Sequence, residues 1–127
     1  MKYLGIDYGE KRIGVAISDD FGKMAFAFCV TENSNKFLEY LKNLIKEREI
    51  NTIVLGLPLG FSMQETEMTK QVKSFGKFLQ KELDIEIIFQ NEILSTKEVE
   101  KSGSASKNMT DASSAALILQ SFLDFKG

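Results

Sequence analysis

The sequence predicts one α/β domain over residues 1–127, built on a five-stranded mixed sheet with helices on both faces. Short apolar runs separated by brief turns open the chain, a pattern typical of antiparallel neighbours. The apolar residues then change to a helical period, and two later apolar runs each follow such a helical segment. Because strands joined by helical crossovers are parallel, two parallel strands extend a three-stranded antiparallel meander.

The first three strands are predicted at Lys2–Asp7, Arg12–Ser18 and Met24–Val30. Tyr8–Lys11 is predicted to form a hairpin turn, and the glycine and aspartates of Asp19–Gly22 indicate a second turn. Both connections are too short for a crossover, so consecutive strands are expected to lie side by side.

The middle of the chain alternates between helices and strands. Apolar residues recur at helical spacing from Phe37 to Arg48 and again from Met68 to Leu83. Thr52–Leu57 is nearly continuous in apolar residues, which is typical of a strand buried on both faces, and we expect Pro58 to end it. Ile85–Phe89 is the predicted fifth strand.

The last third is predicted to be helical. A short helix is expected at Ser95–Lys101, followed by a mobile loop at Ser102–Ser106. Asn108 is then placed to cap a final helix whose apolar residues between Ala112 and Leu123 face inward.

Composition excludes several kinds of chemistry. The chain contains no His, no Trp and a single Cys, Cys29, which we expect to be a small core side chain. Without His, Ser-His-Asp catalysis, Cys-His catalysis and His/Cys zinc sites are excluded within one chain. A single Cys forms no intramolecular disulfide, in keeping with a reducing cytosol.

Charge and hydropathy predict a cytoplasmic protein. Charged residues from Asp7 onward argue against a signal peptide, and no run reaches the roughly 18 apolar residues of a membrane span. The net charge of −2 neither demands nor forbids a nucleic-acid partner, and it leaves the oligomeric state open.

Three carboxylates are candidates for a functional site. Asp7 ends an apolar strand, where Asp is disfavoured; Glu92 falls just past the fifth strand; Asp111 falls in the first turn of the last helix. Parallel strands would bring Asp7 and Glu92 to the carboxyl edge of the sheet, where α/β sheets bind ligands, and the last helix is placed to bring Asp111 there. Clustered carboxylates repel, so we expect Mg²⁺ or Mn²⁺, which commonly serve phosphoryl transfer.

Each carboxylate also has a simpler interpretation. Asp7 can open the turn that Gly9 completes, Glu92 can be a solvated charge at a strand end, and Asp111 can interact with the helix dipole. On single residues alone, the sequence does not decide between these alternatives and a metal site.

Basic residues near the candidate site predict contacts to phosphate. Lys11 and Arg12 lie in the turn beside Asp7, and Lys101 and Lys107 flank the small-residue loop. The alternative is that these cations only solubilise a hairpin tip and a helix surface.

The spacing of these segments resembles the YqgF or RuvX family of the ribonuclease H-like superfamily. The resemblance spans nearly the whole chain, and its first segment is the most specific. The matching segments are Gly5–Gly9, Lys11–Ala16, Ser18–Asp19, Gly56–Leu59, Glu92, Thr96, Asp111, Ala115–Ala116 and Ile118–Gln120.

The resemblance implies that Asp7, Glu92 and Asp111 form the metal-binding acidic site of a divalent-metal nuclease acting on structured nucleic acid. The family is linked to maturation of the 5′ end of small-subunit (pre-16S) rRNA and, by fold analogy, to Holliday-junction resolution.

Two departures concern the substrate side. Asn91 and Ile93 stand where the family usually has Asp and Arg, and Lys101 and Lys107 are the basic residues left near the usually basic loop. The Asn91 and Ile93 substitutions favour a second hypothesis, a nucleic-acid or ribosome-associated factor without cleavage. A phosphate site of the sugar-kinase type needs two such domains, and this chain has room for one.

Overall fold

The computed structural model describes residues 1–60, 62–93 and 107–126, with the backbone alone at 92–93 and 107–111. Its elements, in chain order, are β1 Tyr3–Asp7, β2 Arg12–Ser18, β3 Ala25–Glu32, α1 Phe37–Arg48, β4 Thr52–Leu59, α2 Glu67–Leu83, β5 Glu86–Ile93 and α3 Lys107–Lys126.

The five strands form one sheet in the order β3-β2-β1-β4-β5. The pairs β1–β2 and β2–β3 are antiparallel, and the pairs β1–β4 and β4–β5 are parallel. This confirms the predicted antiparallel meander extended by two parallel strands.

Strand alternation divides the apolar side chains between two cores. Leu4 and Ile6 of β1 belong to the core that includes α1 and α2 residues, whereas Tyr3 belongs to the core under α3. In β4, Leu55 and Val54 are divided in the same way, and both are fully buried. Helices therefore cover both faces of the sheet, as predicted.

The prediction that Pro58 ends the fourth strand is wrong. β4 continues to Leu59, but its pairing with β1 stops at Leu55, and beyond that point the described strands pair it with β5 alone. A proline is tolerated there because one side of the strand has no ladder to interrupt. The longer β4 extends β5 as well, so Glu92 lies inside β5 opposite Pro58 and not past its end.

The predicted cap of the last helix is also wrong. α3 begins at Lys107, so Asn108 is its second residue and Asp111 its fifth. The residue at which a helix begins can shift by one or two positions, because the hydrogen bonds of the end turn are weak. Sequence alone does not fix that position. The predicted short helix and the loop at 102–106 lie outside the described residues.

The β2–β3 turn is held by Asp19. Its carboxylate accepts hydrogen bonds from the backbone N–H groups of Lys23 at 2.8 Å and Met24 at 3.3 Å. These bonds, with the one from Lys23 the strongest, lower the pKa of Asp19. Beyond the turn, the Ala25 N–H donates to Gln120 Oε1 at 2.8 Å, which ties β3 to α3.

Cys29 is half-buried on β3 and packs against the core under α1 and α2. Its thiol lies 3.0 Å from the hydroxyl of Tyr40, and burial together with this contact raises the pKa of that tyrosine. Cys29 thus packs against the core, as expected. None of the helices in the described ranges is both long and apolar enough to cross a bilayer.

Candidate functional site

Asp7 is the last residue of β1 and the first one to leave the core. The four residues before it, Tyr3 to Ile6, are buried, whereas Asp7 is partly exposed. A carboxylate at this point avoids most of the desolvation cost that it would have one residue earlier. It therefore stands at the carboxyl edge of the central strand.

The sheet register relates Asp7 to Glu92. Ile6 pairs with Leu55, and Leu55 pairs with Phe89, so Glu92 lies two positions beyond the level of Asp7. That offset is about 7 Å along the strand direction. β4 lies between β1 and β5, and neighbouring strands of a sheet are about 4.8 Å apart. The backbone thus brings both positions to the carboxyl edge of the sheet.

Alternation places the two positions on the same face. A Cβ on Gly76 of α2 would lie 2.5 Å from the Phe89 ring, so Phe89 faces α2, and position 92 falls on the opposite face. Gly5 faces α3, and Asp7, two positions later, shares that face. Both strand positions therefore belong to the α3 side.

α3 runs antiparallel to β1 across this face. The ring centroids of Tyr3 and Phe122 lie 5.5 Å apart. Further along β1, a Cβ on Gly5 would lie 3.0 Å from the carbonyl oxygen of Ala115, which comes earlier in α3. Moving outward along β1 therefore means moving toward the N-terminus of α3. Position 111 is one helical turn before Ala115 on the same stripe, so the backbone brings it alongside Asp7.

Gly5 permits this close approach of helix and strand. A Cβ at residue 5 would lie 2.8 Å from the Leu119 Cβ and 3.0 Å from the Ala115 carbonyl oxygen. Sequence reasoning recognised Gly5 only as part of a motif and missed this role, because the contact joins residues that are distant along the chain.

The basic turn beside Asp7 is clamped by Asn33, which sequence reasoning missed. The Asn33 side-chain amide donates to the Gly9 carbonyl at 2.8 Å, and its backbone N–H donates to the Lys11 carbonyl at 2.9 Å. Lys11 and Arg12 are both exposed. An Asn directly after a strand was the available signal, since its side chain often binds backbone groups of turns.

We expect Gly9→Ala to destabilise this turn. The new Cβ would lie 2.5 Å from the Arg12 carbonyl oxygen, so the backbone must move, at a cost of about 1–3 kcal/mol. Urea unfolding measures the change. Gly60→Ala is the control, because its Cβ meets the end of the flexible Gln64 side chain and should cost less. Equal stability of Gly9→Ala and wild type would contradict this account of the turn.

The other predicted ligands and cations are placed only in part. The described side chains contain no group of three acidic or thiol residues able to hold a metal ion, and the side chains of Glu92 and Asp111 are outside that set. Lys107 is the first residue of α3, described by its backbone alone, and Lys101 lies outside the described residues.

Comparisons with known proteins agree over nearly the full length. A family model described as "RuvX: Holliday junction resolvase" matches residues 1–125. A protein of Sulfurihydrogenibium sp. is 39% identical over 130 residues, covering 97% of this chain and 90% of that protein. One of Nitratidesulfovibrio vulgaris is 38% identical over 133 residues, covering 98% and 94%. Both are named "Putative pre-16S rRNA nuclease".

Among solved structures, T. thermophilus RuvC in complex with a Holliday junction substrate has a TM-score of 0.58 to this chain. The alignment covers 99% of this chain and 95% of that one at 12% identity, so the likeness concerns the fold. The five-stranded mixed sheet with helices on both faces is therefore a ribonuclease H-like fold, as the resemblance implied.

Proposed function

The chain belongs to the RuvX family, and from that premise we propose that it is a metal-dependent nuclease that hydrolyses phosphodiester bonds in structured nucleic acid. We propose 5′-end maturation of pre-16S rRNA in the cytoplasm as its process, supported by the names of two relatives aligned over at least 97% of the chain. The structural observation that supports cleavage is the juxtaposition of three acidic sequence positions at one sheet edge.

The acidic residues Asp7, Glu92 and Asp111 are proposed to hold Mg²⁺ or Mn²⁺. The donor set fits such an ion, because carboxylate oxygens are the ligands that hard divalent cations prefer. When bound, the ion stabilises charge that develops on the phosphate and lowers the pKa of water. Asp7 is proposed as the central ligand, because β1 lies between β4 and β2 and contacts α3, the helix that carries Asp111.

Four basic residues are proposed to hold the phosphate backbone. Lys11 lies in the clamped turn next to Asp7, and Arg12 is the first residue of β2. Both are exposed, so they are positioned to hold a nucleic-acid strand whose phosphate lies at the acidic site. Lys101 and Lys107, the second of which is the first residue of α3, are proposed to hold a further part of the same backbone. Cations of this kind give sequence-independent affinity.

A cleavage assay tests the function. The protein is incubated with Mg²⁺ or Mn²⁺ and either the 5′ end of a pre-16S rRNA or a four-way DNA junction, with Asp7→Asn as the control. Cleavage of the rRNA precursor by the wild type alone is the expected result. Cleavage of neither substrate, with both bound, would replace this proposal with the non-cleaving factor that Asn91 and Ile93 favour.

Junction cleavage is the second candidate function, favoured by the description of the family model. The same assay distinguishes the two, because the junction and the rRNA end are offered to one protein under one set of conditions. Preferential cleavage of the junction would move the proposed substrate from precursor RNA to branched DNA.

We expect Lys11→Ala/Arg12→Ala to weaken nucleic-acid binding similarly for all sequences. Each lost phosphate contact reduces the slope of log K against log salt by about 0.9 on duplex DNA and about 0.7 on single strands. Binding isotherms between low and moderate salt measure that slope. The control is Lys42→Ala/Lys46→Ala, which removes the same charge from the exposed side of α1. An unchanged slope would remove Lys11 and Arg12 from the interface.

A further inference from the structure

A groove of about 490 Å³ opens between α2 and the residue that follows Asp7. Its walls include Tyr8, the residue after β1, and Phe75 and Phe78 on α2. Tyr8 is the direct chain neighbour of Asp7, at about 3.8 Å between Cα atoms, but alternation places it on the α2 side. The groove and the acidic site therefore lie on opposite sides of one sheet edge. A single nucleic-acid strand that crosses this edge can reach both.

The aromatic wall of the groove is anchored to the core at one end and exposed at the other. The ring centroids of Tyr8 and Phe75 lie 4.6 Å apart, and those of Phe75 and Phe37 lie 6.1 Å apart. Phe37 is buried in the core. Phe78, one turn further along α2, is 46% exposed. Such a wall offers an exposed ring face to a planar ligand, as in sites where bases stack on aromatic side chains.

The polar lining matches a nucleotide. Gln71 and Ser74 provide donors and acceptors suited to the edge of a base, and Lys70 provides an ammonium group suited to a phosphate. Glu67 balances the charge of Lys70, so this wall carries no net positive charge. A site for the duplex backbone would need an excess of cations, so these residues favour a base over a backbone.

We propose that this groove binds one unpaired nucleobase of the substrate strand, next to the phosphate at the acidic site. The inference rests on the proposed nuclease function and specifies its substrate class. A base in a duplex is stacked and paired, whereas a base in a single-stranded segment is free to enter the groove. The protein therefore selects substrates with an unpaired segment beside the cleavage position, such as a precursor 5′ extension.

The test compares two RNA hairpins in EDTA, one blunt and one with a short 5′ extension that carries 2-aminopurine. We expect Phe78→Ala to weaken binding of the extended hairpin roughly 5- to 150-fold, the range for loss of one base–aromatic stack, and to leave the blunt hairpin unchanged. The fluorescence quenching of 2-aminopurine by the wild type should be lost in Phe78→Ala and kept in Phe78→Tyr.

The matched control is Phe26→Ala, since Phe26 is 51% exposed on the edge strand β3, away from the groove. Phe78 is partly exposed, so its variant is expected to fold, and a thermal melt checks this. Equal affinities of Phe78→Ala and wild type for the extended hairpin would overturn the inference, as would equal losses on both hairpins. Either result would mean that the groove does not bind a base, and that it binds a protein partner or no ligand.

The outcomes separate this inference from the proposed function, because binding is measured without cleavage. If the wild type cleaves the precursor end but Phe78→Ala binds it equally well, the nuclease proposal stands and the groove inference fails. If the wild type cleaves nothing but Phe78→Ala loses the extended hairpin selectively, the groove binds bases and the nuclease proposal fails.

Discussion

Asp7→Asn is expected to lose cleavage by more than about 100-fold and most of the stabilisation that Mg²⁺ or Mn²⁺ gives the wild type. Loss of a residue that merely supports a metal ligand costs 10- to 100-fold, and Asp7 is proposed to be the central ligand itself. The substitution removes one charge at nearly constant shape. The change therefore tests the carboxylate and not the packing of β1.

Thermal melts in EDTA and in metal give the second readout. At a hundredfold excess of metal over its Kd the wild type should gain about 2.7 kcal/mol, or several degrees in Tm, and Asp7→Asn far less. Asp124→Asn is the control, because it makes the same change of charge on an exposed residue at the far end of α3. If Asp7 only opens the turn that Gly9 completes, its loss lowers stability and metal changes neither protein. Equal metal responses would contradict the site assignment.

Alternation and helical period predicted the described strands and helices because each depends on local burial. Thr52–Leu57 is nearly continuous in apolar residues, and the strand it predicted is buried on both faces. The errors fall where a distant partner decides the outcome. β4 continues past Pro58 because β5 pairs with it to Leu59, and on the side where the pairing with β1 has stopped a proline interrupts no ladder.

The site residues also divide into those that a local pattern indicates and those that depend on a distant partner. Asp7 could be singled out because a carboxylate at the end of an apolar strand contradicts local preference. Asn33 was missed because its bond to Gly9 spans 24 residues, no periodic pattern connects the two, and its place after a strand was the one local signal. The role of Gly5 depends on a contact with α3, more than 100 residues later in the chain. The functional roles of all seven predicted site residues stay predictions: Asp7, Glu92, Asp111, Lys11, Arg12, Lys101 and Lys107.

Gly5→Ala is expected to weaken metal binding and cleavage without removing any proposed ligand. The added methyl would lie 2.8 Å from the Leu119 Cβ and 3.0 Å from the Ala115 carbonyl oxygen, both close to the α3 backbone, so the helix must move away from β1. Overpacking of this kind costs about 1–3 kcal/mol. Because the same helix carries Asp111, its displacement separates that position from Asp7, and a misplacement of about 1 Å can cost about 100-fold in rate.

Gly76→Ala separates this geometric effect from plain destabilisation. Its Cβ would lie 2.5 Å from the Phe89 ring, so it overpacks the opposite face of the sheet and leaves the contact of α3 with β1 intact. Both variants should lower the urea midpoint, but calorimetric titration with Mn²⁺ should show a raised Kd for Gly5→Ala alone. Affinity for nucleic acid in EDTA should stay close to that of wild type, because Lys11 and Arg12 are anchored through the clamp that Asn33 provides. An unchanged Kd for Mn²⁺ in Gly5→Ala would mean that the position of α3 does not control the acidic site.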